Sequence, residues 1–497
     1  MKIVFLTAGY ENLAVEYLSS FLQKEGHETS LVFDPLMFSD CYYDIPSLAK
    51  IFNFTPRIIK EVISQKPDLI AISAITPFYR WGLHVSEKIK EKIDVPIIFG
   101  SIHASAVPDR VIKNKSLDMV CIGEGEDALL DVVKALEKND TEKLQTIPNI
   151  WYKNKNGKIY KNNPRPLKED IDYLPFPDKE MFLTKSKFFQ KRYMAITSRG
   201  CIFNCSYCSN NVWRNVYRVC SPWKIRRRSI KNVIEELRLG VDRWHPKLVN
   251  FVDDAFDMDK KWIREFAVEY KNEIGLPFTS FAHPKFVDRE LTKMLKKAGL
   301  IGFELGVQSL NENIKRDILQ RYETNEEAIN AMKIMKENKV SAYVDFMIGL
   351  PRQTEKDLQY AAQVFNKLKP EKINCFGLEY FPKSQIIDTS IKYGLIDKES
   401  IEKIEEGYQT GFLLGGDVKN AEMFNTYRIL FTLLPNISYK KGEKLINSLD
   451  KIDITKKIYP TIAGFATNLF RDDDKMYRIF IGYYMEFLWK FITGRAQ

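Results

Sequence analysis

The sequence lacks any uninterrupted apolar run of about 18 residues, the length that a membrane-spanning helix requires. Its first residues, MKIVFLTAGYENLAVEYL, also lack a basic region and a small-residue cleavage site. This short apolar run therefore predicts a first β-strand rather than a secretory signal. We expect a protein without a membrane-spanning helix, located in the cytoplasm.

Cysteine is scarce, with seven residues in a chain of 497, and the number is odd. Three of them, Cys201, Cys205 and Cys208, fall within the stretch TSRGCIFNCSYCSNN, residues 197–211. A disulfide framework does not have this distribution, and its absence agrees with a reducing compartment. The three clustered thiols are therefore expected to bind a metal or to act in catalysis.

Positive charge exceeds negative charge, with 75 Lys and Arg against 65 Asp and Glu. The densest basic run, KIRRRSIK at residues 224–231, is typical of a solvated face or of a contact to acidic groups of a cofactor or substrate. The excess is spread over a long chain, and we expect no nucleic-acid partner.

Residues 1–147 alternate short apolar runs with helical patterns, which predicts a doubly wound, Rossmann-like parallel sheet of about five strands. Ligands of such sheets bind beyond the carboxyl ends of the strands. Three loops follow strand ends here, at residues 73–82, 100–110 and 123–128, and all three are rich in small or hydrogen-bonding residues. Together they predict one binding crevice.

The rest of the chain divides into three parts. Residues 148–190 contain a hairpin signal, Asn156-Gly157, and a proline-rich linker. Residues 191–395 contain six strand patterns and five helical patterns, which predict a partial (β/α)6 barrel like a TIM barrel, with its active face at the strand ends. Residues 396–497 are mostly helical in pattern, and their many aromatic residues are expected to pack onto the barrel and cover its mouth.

Two kinds of metal site fit the C-x3-C-x2-C loop that follows the first barrel strand. A structural zinc ion needs four ligands, and the next cysteine, Cys220, lies twelve residues beyond Cys208. A 4Fe-4S cluster held by three cysteines instead leaves one iron open to a small molecule. A zinc-binding interaction module and an iron-sulfur enzyme are therefore both possible from the residues alone.

The cysteine loop, with Tyr207 before its last cysteine and TSRG before its first, resembles the radical S-adenosylmethionine (radical SAM) superfamily. The amino-terminal sheet, with GSIHASAVPDR and GEGE in its loops, resembles the cobalamin-binding domain that precedes the radical SAM core in the cobalamin-dependent class. The resemblance implies that Cys201, Cys205 and Cys208 ligate a 4Fe-4S cluster, and that its open iron chelates SAM.

The resemblance also implies contacts to SAM and to cobalamin. Candidates for SAM, taken from FVDDAF, FELGVQS and the cysteine loop, are Phe203, Tyr207, Asp253, Asp254, Glu304, Gln308 and Ser309. Candidates for cobalamin are Ser73, Thr76, Gly100, Ser101, Ile102, His103, Ser105, Gly123, Glu124, Gly125 and Glu126. The D-x-H-x-x-G stretch that commonly ligates cobalt from below is absent, so His103 is not assigned as the cobalt ligand.

The activity that the resemblance implies is radical C-methylation. A 5'-deoxyadenosyl radical would take a hydrogen from an unactivated carbon of a small-molecule or peptide substrate, and methylcobalamin would supply the methyl group. A low-potential reductant such as flavodoxin or ferredoxin would be needed. Cobalamin-dependent rearrangement or cyclisation without methyl transfer is an alternative. Methylthiolation is disfavoured because the amino-terminal half holds only Cys41 and Cys121.

Overall fold

The computed structural model describes residues 1–39, 45–254, 256–408, 420–449 and 477–493. Its first sheet has seven strands in the order β2-β1-β3-β4-β5-β6-β7; the first five are parallel, and β6 pairs antiparallel with both β5 and β7. The strands are β1 (Lys2–Ala8), β2 (Glu28–Asp34), β3 (Leu69–Ser73), β4 (Ile97–Gly100), β5 (Met119–Cys121), β6 (Ile150–Lys153) and β7 (Ile159–Lys161).

Helices cover both faces of this sheet, as the alternating pattern predicts. They are α1 (Leu13–Lys24), α2 (Pro46–Ile51), α3 (Thr55–Ser64), α4 (Tyr79–Lys90), α5 (Ile102–Ala106), α6 (Pro108–Val111), α7 (Glu126–Glu137) and α8 (Thr141–Leu144). The hairpin at Asn156-Gly157 is present, and its two strands extend the first sheet beyond β5. Two short helices, α9 (Glu180–Leu183) and α10 (Lys187–Gln190), lead from the sheet to the next layer.

The second sheet has six parallel strands, which confirms the partial barrel. In spatial order they are β8 (Arg192–Ala195), β11 (Leu248–Phe251), β12 (Phe278–Ala282), β13 (Leu300–Gln308), β14 (Ser341–Ile348) and β15 (Lys372–Gly377). A separate two-residue pair joins β9 (Ser198–Arg199) to β10 (Arg226–Arg227) and closes the segment that holds the cysteines.

Helices pack against the outside of this sheet and share an apolar core with it. They are α12 (Ile230–Trp244), α13 (Lys260–Glu273), α14 (Arg289–Ala298), α15 (Asn325–Glu337) and α16 (Glu355–Leu368). Helix α11 (Ser209–Tyr217) instead contacts α5 of the first domain. Both α15 and α16 begin at a capping box, formed by Thr324 with Glu327 and by Thr354 with Asp357. These helix starts fix where each strand-to-helix loop ends, at the face where the site lies.

The carboxy-terminal helices do not all pack where the sequence predicts. They are α17 (Ile386–Lys392), α18 (Lys398–Glu405), α19 (Ala421–Leu433), α20 (Tyr439–Ile446) and α21 (Tyr477–Thr493). Helix α19 packs on the barrel as expected, with the Phe431 ring 5.1 Å from that of Phe346. The remaining parts of 396–497, residues 409–419, 450–476 and 494–497, lie outside the described residues.

The prediction of barrel packing is wrong for α21, which packs against the amino-terminal domain. The Tyr483 hydroxyl donates to the carbonyl oxygen of Gly9 at 2.6 Å, and the Phe487 ring lies 5.9 Å from that of Phe33 on β2. The helices of the first domain do not cover all of the apolar side chains beside β2. Aromatic side chains of α21 cover the remaining ones. No helix of the described residues is both long and apolar enough to cross a membrane.

Candidate functional site: a cavity between the two sheets

A cavity of about 650 Å³ lies between the carboxyl ends of the first sheet and the first strands of the barrel. The sheet side is formed by the ends of β1, β3, β4 and β5, through Ala8, Ser73, Gly100 and Cys121. The barrel side is formed by Met194, Ile196, Asn210, Trp213 and Asp254. The strand order 2-1-3-4-5 reverses direction between β1 and β3, which is where open parallel sheets hold their ligands.

The cavity reaches below the strand ends into the apolar interior of the first domain. Phe5, Ala71 and Ile98 lie in the middle of three neighbouring strands and line it, together with Leu129 of α7. The lining there is apolar, so this slot is suited to a flat ligand group that is poorly hydrated.

Most of the residues assigned to cobalamin from the sequence line this cavity. They are Ser73, Gly100, Ser101, Ile102, Gly123, Glu124, Gly125 and Glu126. Thr76, His103 and Ser105 are not among the lining residues. The Ser105 hydroxyl instead accepts a hydrogen bond from the Gly123 amide at 3.1 Å and so holds the third loop in place.

His103 has the surroundings of a core histidine. Its ring is fully buried and stacks on Tyr79 with the ring centroids 3.9 Å apart, and its Nδ1 lies 3.3 Å from the Thr76 hydroxyl. Burial lowers the pKa of His103 to about 4, so the imidazole is neutral at physiological pH. Of these two neighbouring residues of α5, Ile102 lines the cavity and His103 does not.

Glu124 and Glu126 join the first domain to the barrel domain. The Arg199 guanidinium donates to Glu126 at 2.6 Å, and Arg226 makes a two-pronged pair with Glu124 at 2.5 and 3.0 Å. Burial acts to raise the pKa of Glu124, but the two arginines outweigh it and hold that pKa below its usual value. Glu124 is therefore charged, and both carboxylates are paired with arginines of the protein at the rim of the cavity.

These pairs correct the prediction for the basic run. Arg226 and Arg228 are only 5% and 4% exposed, and Arg228 pairs with Glu236. Arg226 and Arg228 thus make buried structural contacts, whereas Lys224 and Lys231 at the two ends of the run are exposed.

Gly123 is required by a close approach between the two domains. It has a φ of +79°, and a Cβ atom there would lie 2.4 Å from the Tyr217 hydroxyl oxygen of α11. That hydroxyl accepts a hydrogen bond from the Glu124 amide at 2.6 Å. Only glycine fits this turn without displacing α11, which begins directly after the cysteine loop.

Hydrogen bonds from two side chains fix the backbone of the cysteine loop. The carbonyl oxygen of Cys201 accepts from the Arg214 guanidinium at 2.7 Å and from the Trp223 indole N–H at 2.9 Å. Arg214 also donates to the Phe203 carbonyl oxygen at 3.0 Å. Burial raises the pKa of Cys201 to about 12 and that of Cys208 to about 11, and it also raises the pKa of Cys205.

The three thiols do not converge on one point. In the part of the chain that the structure describes, no three His, Cys, Asp or Glu side chains form a group that could hold a single metal ion. An iron-sulfur cluster has a different requirement, because each thiolate binds its own iron. Cys220 is engaged elsewhere: its sulfur lies 3.7 Å from the Arg165 carbonyl oxygen and 3.6 Å from that of Tyr217.

The two neighbouring acids assigned to SAM differ sharply in their surroundings. Asp253 is fully buried and accepts hydrogen bonds from the Thr197 amide at 3.0 Å, the Thr197 hydroxyl at 2.7 Å and the Ser198 hydroxyl at 2.6 Å. Asp254 lines the cavity, and burial raises its pKa although the Asn210 side chain donates to it.

The other SAM candidates lie inside the barrel or beside the cysteine loop. The Phe203 ring stacks on His283 at 4.0 Å, and the Tyr207 hydroxyl accepts from Arg321 at 3.2 Å. Gln308 ends β13 with a φ of +60°, and the hydroxyl of buried Ser309 accepts from the Asn311 amide. Glu304 lies in the middle of β13 and not at the carboxyl end of the strand, where the cysteine loop is.

Glu304 belongs to a different cluster, with Asp345 of the neighbouring strand. Burial raises the pKa of both carboxyls, and the proximity of Glu304 raises that of Asp345 further. Their mutual hydrogen bond acts to raise the pKa of Asp345 and to lower that of Glu304, so the two carboxyls titrate as a coupled pair.

Sequence reasoning missed a buried ion pair, Arg321 with Glu323, and a buried single acid, Glu379. Arg321 donates to Glu323 at 2.8 Å and to the Gly306 carbonyl oxygen at 2.6 Å, and so links β13 to the loop that carries Tyr207. Glu379, just beyond β15, is 7% exposed and its two carboxylate oxygens have no hydrogen-bond partner. Its sequence signal was a single acid within the apolar run FGLEYF.

Comparison with known proteins identifies both halves of this site. The family model described as B12 binding domain matches residues 1–133, and the model described as Radical SAM superfamily matches residues 195–365. An uncharacterized methyltransferase of Pyrococcus horikoshii is 27% identical over 72% of this chain and 73% of its own length. An anaerobic magnesium-protoporphyrin IX monomethyl ester cyclase of Rubrivivax gelatinosus is 24% identical over 75% of this chain and 67% of its own.

The fold is also that of a solved structure. The cobalamin-dependent S-adenosylmethionine radical enzyme OxsB, with aqua-cobalamin and S-adenosylmethionine bound, superposes with a TM-score of 0.65. The superposition covers 99% of this chain and 79% of the OxsB chain, and the two sequences are 15% identical. The similarity is therefore one of fold.

The two domains imply three cofactors, and the residues fit them. The radical SAM domain implies a 4Fe-4S cluster and SAM, for which the three thiols provide soft ligands. The B12-binding domain implies cobalamin, for which the apolar slot lined by Phe5, Ala71 and Ile98 leaves room. The chain thus carries a stretch that matches a B12-binding domain, residues 1–133, followed by one that matches a radical SAM domain, residues 195–365.

Proposed function

We propose that the protein methylates an unactivated carbon of a small-molecule or peptide substrate. The observation that carries this proposal is the single cavity that the first-sheet loops share with Asn210, Trp213 and Asp254, next to the cysteine loop. A methyl donor held by the first sheet and a radical generated at the cysteine loop would then meet in one space. The methyltransferase named among the relatives supports the same activity.

In this proposal, the chain's own residues bind and orient the reactants. Cys201, Cys205 and Cys208 hold the cluster, and Arg214 and Trp223 fix the loop by binding the Cys201 carbonyl oxygen. When bound, the cluster supplies the electron that cleaves SAM, and cobalamin carries the methyl group. The slot lined by Phe5, Ala71 and Ile98 excludes water from the lower face of the cavity.

The test is reconstitution under anaerobic conditions with iron, sulfide and cobalamin, followed by three measurements. Iron content and corrin absorbance report the cofactors, and mixtures of deuterated substrates identify the hydrogen donor by deuterium in 5'-deoxyadenosine. A donor that gains the mass of one methyl group supports methylation. A donor that loses hydrogen without this gain favours rearrangement or cyclisation, the alternative that the named cyclase among the relatives suggests.

A pair of variants tests the cluster separately. Cys205→Ala removes one of three ligands, so we expect loss of most of the iron and of all reductive SAM cleavage. Cys220→Ala is the matched control, because its thiol contacts the Arg165 and Tyr217 carbonyl oxygens, and it keeps both properties. A colourless protein in which both variants lose one bound zinc ion would support the zinc module instead.

Two further parts of the proposal concern the surroundings of the enzyme. The cluster needs an electron from a low-potential reductant of the flavodoxin or ferredoxin kind. A cytoplasmic location agrees with six free cysteines among the described residues, because such thiols persist in a reducing compartment.

A further inference from the structure

A second depression lies beside the cysteine loop, and Trp223 lines both this depression and the shared cavity. It has a volume of about 680 Å³ and is open to solvent. We call it the α11 surface and define it by Arg214, Arg218, Val219, Pro222, Trp223 and Gln385. Neither the cofactors nor the proposed methylation requires a ligand at this place.

The α11 surface is positively charged and partly apolar. Two arginines line it, and none of its lining residues in the described chain is acidic. Val219 is 67% exposed, and Pro222 and Arg218 are also exposed. Exposed apolar side chains beside unpaired positive charge are typical of a surface that meets an acidic protein.

Polar atoms of this surface also lack partners. The Asn211 Oδ1, Arg214 Nε and Gln385 Oε1 atoms are buried and have no hydrogen-bond partner. All three residues line the depression. Buried polar atoms are nearly always satisfied, so water or a partner's polar groups are expected against them.

The surface is in direct contact with the backbone of a cluster ligand. Trp223 and Arg214 line it, and each donates a hydrogen bond to the Cys201 carbonyl oxygen, at 2.9 and 2.7 Å. Electron transfer weakens steeply with distance, and a donor seated here would be linked to Cys201 through a single hydrogen bond from Trp223 or Arg214.

We propose that the α11 surface docks an acidic carrier protein of low potential, which delivers one electron to the cluster. The carrier is oxidised by one electron and the cluster is reduced by one. This inference rests on the proposed function, because it requires the cluster at the three cysteines.

The test compares two reductants on the reconstituted full-length protein. With Arg218→Glu, we expect SAM cleavage driven by limiting reduced flavodoxin to slow roughly tenfold at low ionic strength. The difference shrinks at about 0.5 M salt, where exposed charges are screened. Cleavage driven by dithionite, a small reductant that needs no docking surface, stays unchanged.

The matched control is Arg238→Glu, which makes the same charge change at an exposed position of α12. It leaves both rates unchanged. Equal flavodoxin-driven rates in the parent and both variants overturn the docking proposal while dithionite-driven cleavage persists. If the parent protein cleaves no SAM with dithionite, the proposed function fails, and the docking proposal fails with it.

Discussion

Asp253 and Glu379 are both carboxylates buried just beyond the end of a barrel strand, yet their surroundings are opposite. Three donors from Thr197 and Ser198 bind Asp253, at 2.6 to 3.0 Å. Both oxygens of Glu379 lack a partner, and burial raises its pKa to about 7. The first acid is part of the scaffold that holds the cysteine loop, whereas the second costs stability where it lies.

The largest expected effect comes from removing the satisfied carboxylate. Asp253→Ala leaves the Thr197 amide and two hydroxyls without their acceptor, and we expect it to lower the free energy of unfolding by about 3–5 kcal/mol. Thr197 and Ser198 lie just before Cys201, so bound iron should also fall. The apparent melting temperature and the iron content of reconstituted protein measure both effects. Unchanged values of both would remove the distinction between the two acids.

Glu379→Gln should act in the opposite direction. In the unfolded chain this carboxyl ionises near its ordinary pKa of 4.5, but in the fold only near 7. Its destabilising contribution therefore grows as the pH rises from 4.5 to 7 and stays constant above. The variant should be more stable than the parent by up to about 3 kcal/mol at pH 8, with no difference near pH 4.5. Melting temperatures across this pH range provide the measurement.

The same variant separates a structural from a functional role of Glu379. A gain in stability accompanied by loss of product formation would indicate a group kept for function at the expense of stability. A gain in stability with unchanged product formation would assign Glu379 no part in the reaction. A melting temperature equal to that of the parent at pH 8 would contradict the pKa shift itself.

The smallest expected effect is that of Asp254→Asn, the control for its neighbour. Asp254 lines the cavity and accepts from Asn210, and an amide of the same shape can keep that contact. We expect a change in stability within about 1 kcal/mol and retention of iron. A weaker binding of SAM, measured by equilibrium dialysis, would indicate that the cavity-facing acid touches it.

The sequence was sufficient to predict the two sheets because the strands are short apolar runs separated by amphipathic helices. It also located the three loops at the ends of parallel strands, because all such ends meet at one edge. The choice between Asp253 and Asp254 could not be made from the sequence, since it depends on which side chain faces Thr197. The pairing of Glu124 and Glu126 with Arg199 and Arg226 depends on how two domains pack, and local patterns carry no information about that.

Helix α21 illustrates the same limit, because its aromatic pattern predicts that it is buried but not against which surface. Its position also has a consequence for the order in which the protein folds. Tyr483 and Gly9 are bonded across 474 positions of the chain. A ribosome that has made the whole first domain has therefore not yet made the residues that cover the apolar surface beside β2. During that interval the apolar surface beside β2 lacks its cover, and exposed apolar surface makes a nascent chain prone to aggregation.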